Sequence, residues 1–255
     1  MAFELITVPC LSDNYAFLMH DANDDTTLLV DVPEAEPILD VVNAKGWSIS
    51  HVLLTHHHPD HVQGLPEILV EHKPVVIGAK ADAERLPHLD LAVSEGDTIA
   101  LGSASGVVMD VSGHTIGHIA VHFPDQGIVF TADSLMALGC GRLFEGSAEM
   151  MWTSLSKISA LPDSTTVCSG HEYTLANARF AQTIDPENPE LLRRIKRIEE
   201  DRQNNVPTVP SNLGEEKQTN PFLRPHDRNI RAHLSMQNAT DAEVFAEIRS
   251  RKDNF

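Results

Sequence analysis

The chain has no stretch of about 18 uncharged apolar residues, the length a helix needs to cross a bilayer, so no transmembrane helix is expected. Its first residues, Met-Ala-Phe-Glu-Leu-Ile-Thr-Val-Pro, lack both the basic start and the long apolar region of a secretory signal, and a cytoplasmic protein is expected. Cysteine is scarce. Cys10, Cys140 and Cys168 are odd in number and widely spaced, which argues against a disulfide framework and leaves them to packing. Basic side chains are outnumbered, 19 against 37 acidic, and no basic tract offsets the formal charge of −18. Nucleic acid is thereby disfavoured as a partner, and any anionic substrate has to be caught by a local basic cluster against the general field. Internal repeats and low-complexity tracts are also missing. The 255 residues, 42% of them hydrophobic, suffice for one large or two smaller globular domains.

Against this background one segment stands out. Residues 55–61 read Thr-His-His-His-Pro-Asp-His, which places His56, His58, Asp60 and His61 within a single turn of backbone. Neutral imidazole and carboxylate are the ligands that borderline divalent ions such as zinc prefer, at about 2.0–2.2 Å, and this spacing can serve two adjacent ions. The preceding run, His51 to Thr55, is short and apolar and reads as a buried strand that delivers the ligands on a loop at its end. Later apolar runs end the same way. Residues 106–111 lead to Ser112-Gly113-His114-Thr115-Ile116-Gly117-His118, residues 127–131 to Ala132-Asp133, and residues 165–168 to Ser169-Gly170-His171-Glu172-Tyr173. In open sheets such strand ends gather at one place, so distant residues can converge. Asp31, at the end of another strand, can hydrogen-bond a ligand histidine and orient it. His57, His118 and His122 flank the ligands and are expected to pack or to support them.

Periodicity alone gives α/β or α+β. Residues 3–32 suit a strand meander with Asp-Asn and Asn-Asp-Asp turns; Glu34 to Lys45 and Gly64 to Val70 read as helices; Pro74 to Gly78 and Asp97 to Leu101 read as strands. After Tyr173 the pattern is helical. Asp185-Pro186 reads as an N-cap with proline at the first position of a helix carrying Leu191, Ile195 and Ile198 inward. Residues 205–225, rich in Asn, Pro and Gly, read as a loop or linker. Thr240 to Glu243 is a capping box that opens a final helix with Val244, Phe245 and Ile248 inward.

Along its whole length the chain resembles metallo-β-lactamase-fold hydrolases, and within them the hydroxyacylglutathione hydrolase (glyoxalase II) family. His-x-His-x-Asp-His falls on residues 56–61, Gly-His-Thr-x-Gly-His on residues 113–118, and the remaining ligand positions on Asp133 and His171. The resemblance implies an α+β fold: an αββα sandwich over residues 1–173, the catalytic domain, followed by a smaller helical substrate-binding domain over 174–255. It implies that His56, His58 and His114 hold one divalent ion, that Asp60, His61 and His171 hold a second, and that Asp133 bridges them. Zinc is the first expectation, with iron or manganese compatible. The nucleophile implied is a metal-bridging hydroxide held by Asp133, with no protein nucleophile. The reaction is hydrolysis of S-2-hydroxyacylglutathione thioesters such as S-lactoylglutathione, in methylglyoxal detoxification.

The family's glutathione contacts map onto Arg142, Phe144, Tyr173, Arg249 and Lys252, with Asp253 completing the Arg-x-x-Lys-Asp of the terminal helix. Arg142 stands where the family has lysine and keeps its charge. Phe144 stands where it has tyrosine and lacks one hydroxyl. The partner implied is this small thioester alone, without nucleic acid or membrane, and a monomer is expected. The alternatives are a glutathione persulfide dioxygenase of the same fold with a single iron, or another hydrolase of the superfamily.

Overall fold

The computed structural model describes residues 3–255, so the reading of the amino terminus, which begins at Met1, lies partly outside the described residues. Two compact units are present. The first runs through Asp110 and resumes over Ile116–Thr131; the second comprises Val111–Thr115 and Ala132–Phe255.

The first unit opens with the expected meander, β1 (Phe3–Cys10), β2 (Asn14–Asp21) and β3 (Thr26–Val30), followed by α1 (Ala35–Lys45) and β4 (His51–Leu54). Next come α2 (Pro59–Val62), α3 (Leu65–Glu71), β5 (Val75–Ala79) and β6 (Leu91–Val93). Then β7 (Thr98–Leu101), β8 (Ala104–Asp110), β9 (Ile119–Phe123) and β10 (Ile128–Ala132) complete it. The first sheet has the order β1-β2-β3-β4-β5-β6, antiparallel from β1 to β3 and parallel from β3 to β6. Its parallel strands are short apolar runs because both faces are covered. On one face Ile38 and Val42 of α1 and Leu65 and Ile68 of α3 pack on Leu18, Leu29, Val52, Leu54 and Val76. On the other lies a second, antiparallel sheet of β7, β8, β9 and β10. There Phe17 and Phe130 face each other with ring centroids 5.9 Å apart, and Phe123 meets Phe130 at 6.1 Å.

In the second unit β11 (Leu135–Met136) and β12 (Gly139–Cys140) form a small hairpin. They are followed by α4 (Ala148–Ser159), β13 (Thr166–Ser169), α5 (Thr174–Ile184) and α6 (Pro189–Gln203). β14 (Ser211–Asn212), which pairs antiparallel with β13, α7 (Leu213–Thr219), α8 (Arg228–His233) and α9 (Asp241–Asp253) finish the chain. α5 and α6 pack through Ala178, Ala181, Leu191, Ile195 and Ile198. The capping box at Thr240 is formed, and Val244, Phe245 and Ile248 of α9 are fully buried.

Two expectations in this unit need correction. The cap of α6 is Asn188, not Asp185: its side chain accepts from the backbone N–H groups of Glu190 and Leu191 at 3.0 and 3.3 Å, with Pro189 first in the helix. Asp185 instead ends α5, and its carboxylate is taken by Arg224 and by Asn188 Nδ2 at 2.8 Å. Residues 205–225 are not a plain linker either, since they contain β14, α7 and a 3₁₀ turn over Pro221–Leu223. Local composition hid α7 because a long-range ion pair holds it. Arg194 of α6 is bonded to Glu216 of α7, and both are buried. Arg194 Nη1 also reaches Thr219 Oγ1 at 2.7 Å, while Glu216 Oε2 accepts from the Leu138 N–H at 2.9 Å.

Removing one partner of a buried pair strands the other charge. Glu216→Ala is therefore expected to cost about 3–5 kcal/mol, read in a thermal melt as a fall in Tm of about 10 °C. An Arg194→Met, Glu216→Leu double variant should recover much of that loss.

Candidate metal centre

In the first unit the site grows from the end of β4. The buried Asp31 carboxylate accepts from the Thr55 N–H at 2.9 Å and the Thr55 hydroxyl at 2.8 Å, which fixes the strand end. Across the unit, the Ile119 N–H donates to the Thr55 carbonyl at 3.0 Å. His56 follows, with Nδ1 3.0 Å from the Thr55 hydroxyl and Nε2 3.1 Å from Nδ1 of His58. His58 is extended and caps α2, and Pro59 starts that helix with a preset φ. Asp60 and His61 therefore ride on a helical turn rather than on the loop expected.

His61 Nδ1 donates to Asp31 Oδ2 at 2.7 Å. A carboxylate only accepts, so in a neutral ring this bond turns the lone pair of His61 to Nε2. Asp60 is oriented by Asn14, whose Nδ2 donates to its carboxylate at 3.0 Å and to its carbonyl at 3.1 Å. Candidate ligand atoms of His56 and His58 lie within 4.8 Å of each other, as do those of His56 and His61 and those of Asp60 and His61. Two of the flanking histidines have partners within this unit. His57 Nδ1 is bonded to Asp82 Oδ2 at 2.9 Å, and His118 stacks on His56 at 4.6 Å. Burial holds His51 and His122 below the ordinary imidazole range.

The second unit carries its own cluster. Nδ1 of His114 donates to the Arg142 carbonyl at 2.7 Å, which again leaves Nε2 the lone pair. Oδ2 of Asp133 lies 3.5 Å from Nε2 of His114 and 3.3 Å from Nε2 of His171. One carboxylate thus stands between two buried imidazoles. The Tyr173 ring stacks on His171 with centroids 4.7 Å apart and remains 40% exposed. Phe144, 60% exposed, sets its ring edge-on to His114 at 5.3 Å. Arg142 is exposed, with Nε 3.4 Å from Oδ1 of Asp253.

Lys252 is half-buried, its ammonium 5.1 Å from the Phe180 ring and 5.2 Å from the Phe255 ring. Burial, reinforced by the neighbouring Arg249, pushes its pKa down to about 8. Arg249, by contrast, is only 6% exposed, and its guanidinium is engaged by Cys140 and Asp253. The cysteines are inert: burial raises the thiols of Cys10 and Cys140 to about 11 and that of Cys168 further.

The donor set fits a divalent ion. Neutral imidazoles with one nitrogen pinned by an oxygen, beside carboxylates, are the arrangement metal ligands adopt, and such clusters of histidine and aspartate are present here. Asn14 and Thr55 escaped the reading of the sequence. Asn14 looked like a turn residue, and nothing in local spacing points from it to Asp60; Thr55 looked like the last residue of a strand.

Comparison with known proteins agrees with these features. Residues 12–171 match the family model of the metallo-beta-lactamase superfamily, and residues 172–255 match that of the hydroxyacylglutathione hydrolase C-terminus. A hydroxyacylglutathione hydrolase of Ruegeria pomeroyi is 61% identical over 255 residues, covering 100% of both chains. One of Methylococcus capsulatus is 50% identical, covering 99% of this chain and 98% of that one. Among solved structures, ETHE1 from Myxococcus xanthus superposes with a TM-score of 0.67 at 23% identity over 99% of this chain and 98% of its own, a likeness of fold alone. The fold is thus the α+β arrangement of the metallo-β-lactamase superfamily with the hydrolase family's C-terminal region.

Asp31 has φ 57°, a left-handed conformation that asparagine also tolerates. Asp31→Asn should therefore keep the fold while weakening the acceptor of His61, and divalent-ion retention against a chelator should fall about 10–100-fold.

Proposed function

We propose that this chain, which belongs to the hydroxyacylglutathione hydrolase family, hydrolyses S-2-hydroxyacylglutathione thioesters such as S-lactoylglutathione to glutathione and a 2-hydroxy acid. What carries the reading is the C-terminal match over residues 172–255, because the metal motifs are common to the superfamily whereas this region is particular to one branch of it. His56, His58 and His114 would hold one divalent ion and Asp60, His61 and His171 a second, with Asp133 shared. Zinc is the first candidate. When bound, such a pair supplies hydroxide at neutral pH and a Lewis acid for the thioester carbonyl.

The chain's own residues do the rest. Asp31 and the Arg142 carbonyl hold His61 and His114 in the tautomer that presents Nε2. Arg142 and Lys252 supply the local positive charge that an anionic glutathione needs on a chain of net charge −18. Tyr173 and Phe144 offer exposed rings beside His171 and His114 for the body of the substrate. The leaving thiolate, with an unperturbed pKa of about 8.5, needs little protonation to depart. Residues 1–173 would form the catalytic domain and 174–255 the substrate-binding one, in a cytoplasmic enzyme.

The test is hydrolysis of S-lactoylglutathione followed as thioester loss and thiol release. Chelator-sensitive release is expected, with His58→Ala losing ion and turnover together. Oxygen uptake with glutathione persulfide and no thiol release from the thioester would overturn the assignment in favour of a dioxygenase. Lys252→Ala should raise KM more than it lowers kcat. In the wild-type protein KM should climb as pH rises through about 8, where the Lys252 ammonium loses its proton, and in Lys252→Ala that climb should vanish.

A further inference from the structure

A buried acid lies outside the motifs that stand out in the sequence. Asp82 closes the 3₁₀ turn Lys80–Asp82 after β5, and only 1% of it is exposed. Its Oδ2 accepts from Nδ1 of His57 at 2.9 Å, and its Oδ1 accepts from Nε of Arg85. Arg85 reaches further, with Nη2 donating to the Ile116 carbonyl at 2.7 Å. Gly117, the next residue, has φ 88°, and a Cβ there would fall 2.9 Å from Cβ of Asp82 and 3.3 Å from its backbone nitrogen. Two segments distant in sequence, 56–58 and 116–118, are thus drawn onto one turn of the first unit.

The contacts close on themselves. His57 turns to Asp82, while its neighbours turn to each other, Nε2 of His56 lying 3.1 Å from Nδ1 of His58. That is the alternation an extended backbone gives, so fixing the middle ring fixes the side from which the outer two emerge. His118 follows Gly117 and stacks on His56, with centroids 4.6 Å apart and 18° between the ring planes. A path therefore runs from Asp82 through His57 to His56, across the stack to His118, and back through Gly117, Ile116 and Arg85 to Asp82. His56 sits within this closed ring.

We infer that Asp82, with Arg85, is a positioning residue for His56 and His58. Because a carboxylate only accepts, Asp82 holds the His57 proton at Nδ1 and pins that ring away from its neighbours. The guanidinium offsets the cost of burying the carboxylate and carries its hold across to the Ile116 carbonyl, a reach that suits a planar fork of donors. This rests on His56 and His58 holding an ion, as proposed above. The two ligand-bearing segments are thereby registered against each other by a residue that belongs to neither.

The experiment compares Asp82→Asn, Arg85→Met and the double variant with the wild-type protein, all full length. Three readouts are taken: the ¹⁵N resonances of the His57 and His56 rings in metal-free protein, zinc retention against a chelator, and Tm without metal. Positioning predicts that Asp82→Asn moves both ring signals and lowers zinc retention several-fold, towards the about 10–100-fold that loss of a direct partner of a ligand costs. Arg85→Met should act in the same direction and more weakly. The double variant should lose no more than Asp82→Asn alone, since both residues act through one ring of contacts. The inference is overturned if the variants melt early but keep wild-type zinc retention and an unmoved His56 signal, the behaviour of residues that serve only the fold. It is also overturned if the two losses simply add. Should Asp82→Asn fail to fold, Arg85→Met decides alone, since its side chain is 41% exposed and its removal leaves the His57 bond in place. Failure of the functional reading looks different: wild-type protein would retain zinc and release no thiol from S-lactoylglutathione, while the zinc retention of the variants would still decide the role of Asp82.

Discussion

A buried carboxylate with several obligations organises the first unit. Asp31 accepts from the N–H and the hydroxyl of Thr55 and from the ring of His61, three donors that converge from β4 and from the turn beyond it. An isolated buried charge is costly, so the chain is stable only when all of these donors arrive together. That requirement sets where β4 ends, which way the His56 ring turns from Thr55, and how α2 is seated. It also explains why a non-glycine residue accepts a left-handed backbone at this point: the carboxylate has to turn back towards β4 and α2, and the hydrogen bonds hold the strain.

The second unit solves the same problem with pairs of opposite charge. Arg194 and Glu216 are both buried and join α6 to α7, and Glu216 reaches on to the Leu138 N–H beside the small hairpin. Arg224 joins Asp185 to Asp227, and Arg249 joins α9 to Cys140. Each arginine serves more than one acceptor, which suits its planar fork. In this way the turns and short helices between α6 and α9 are tied to a core in which Leu191, Ile195, Phe222, Val244 and Phe245 are buried. Phe222, Phe245 and Trp152 supply the apolar contact around which these polar ties close.

Electrostatics separates binding from chemistry in the proposed enzyme. The chain is strongly acidic, so in the proposed reading a glutathione carboxylate gains nothing from the overall field and would depend on local charges such as those of Arg142 and Lys252. Lys252 is half-buried and close to Arg249; burial first and that like charge second disfavour its ammonium, which a bound anion would favour. In the proposed reading, binding there would be coupled to the protonation of Lys252.

Sequence alone determined the features that depend on neighbours along the chain. The imidazoles and carboxylate over 56–61, the strand that leads to them, the capping box at Thr240 and the inward face of α9 all follow from periodicity and local hydrogen bonding, and each was legible. The cap of α6 was misplaced because Asp185-Pro186 and Asn188-Pro189 are equivalent locally; Arg224, 39 residues beyond Asp185, claims the first aspartate and leaves the role to Asn188. α7 was missed because its anchor is Arg194, 22 residues before Glu216. The hold of Asn14 on Asp60, the place of Asp133 between His114 and His171, and the burial of Arg249 against Cys140 were likewise decided only in three dimensions. The reason is the same in each case: a polar side chain carried into the interior takes whichever partner the packing brings to it, and that partner is not written nearby in the chain.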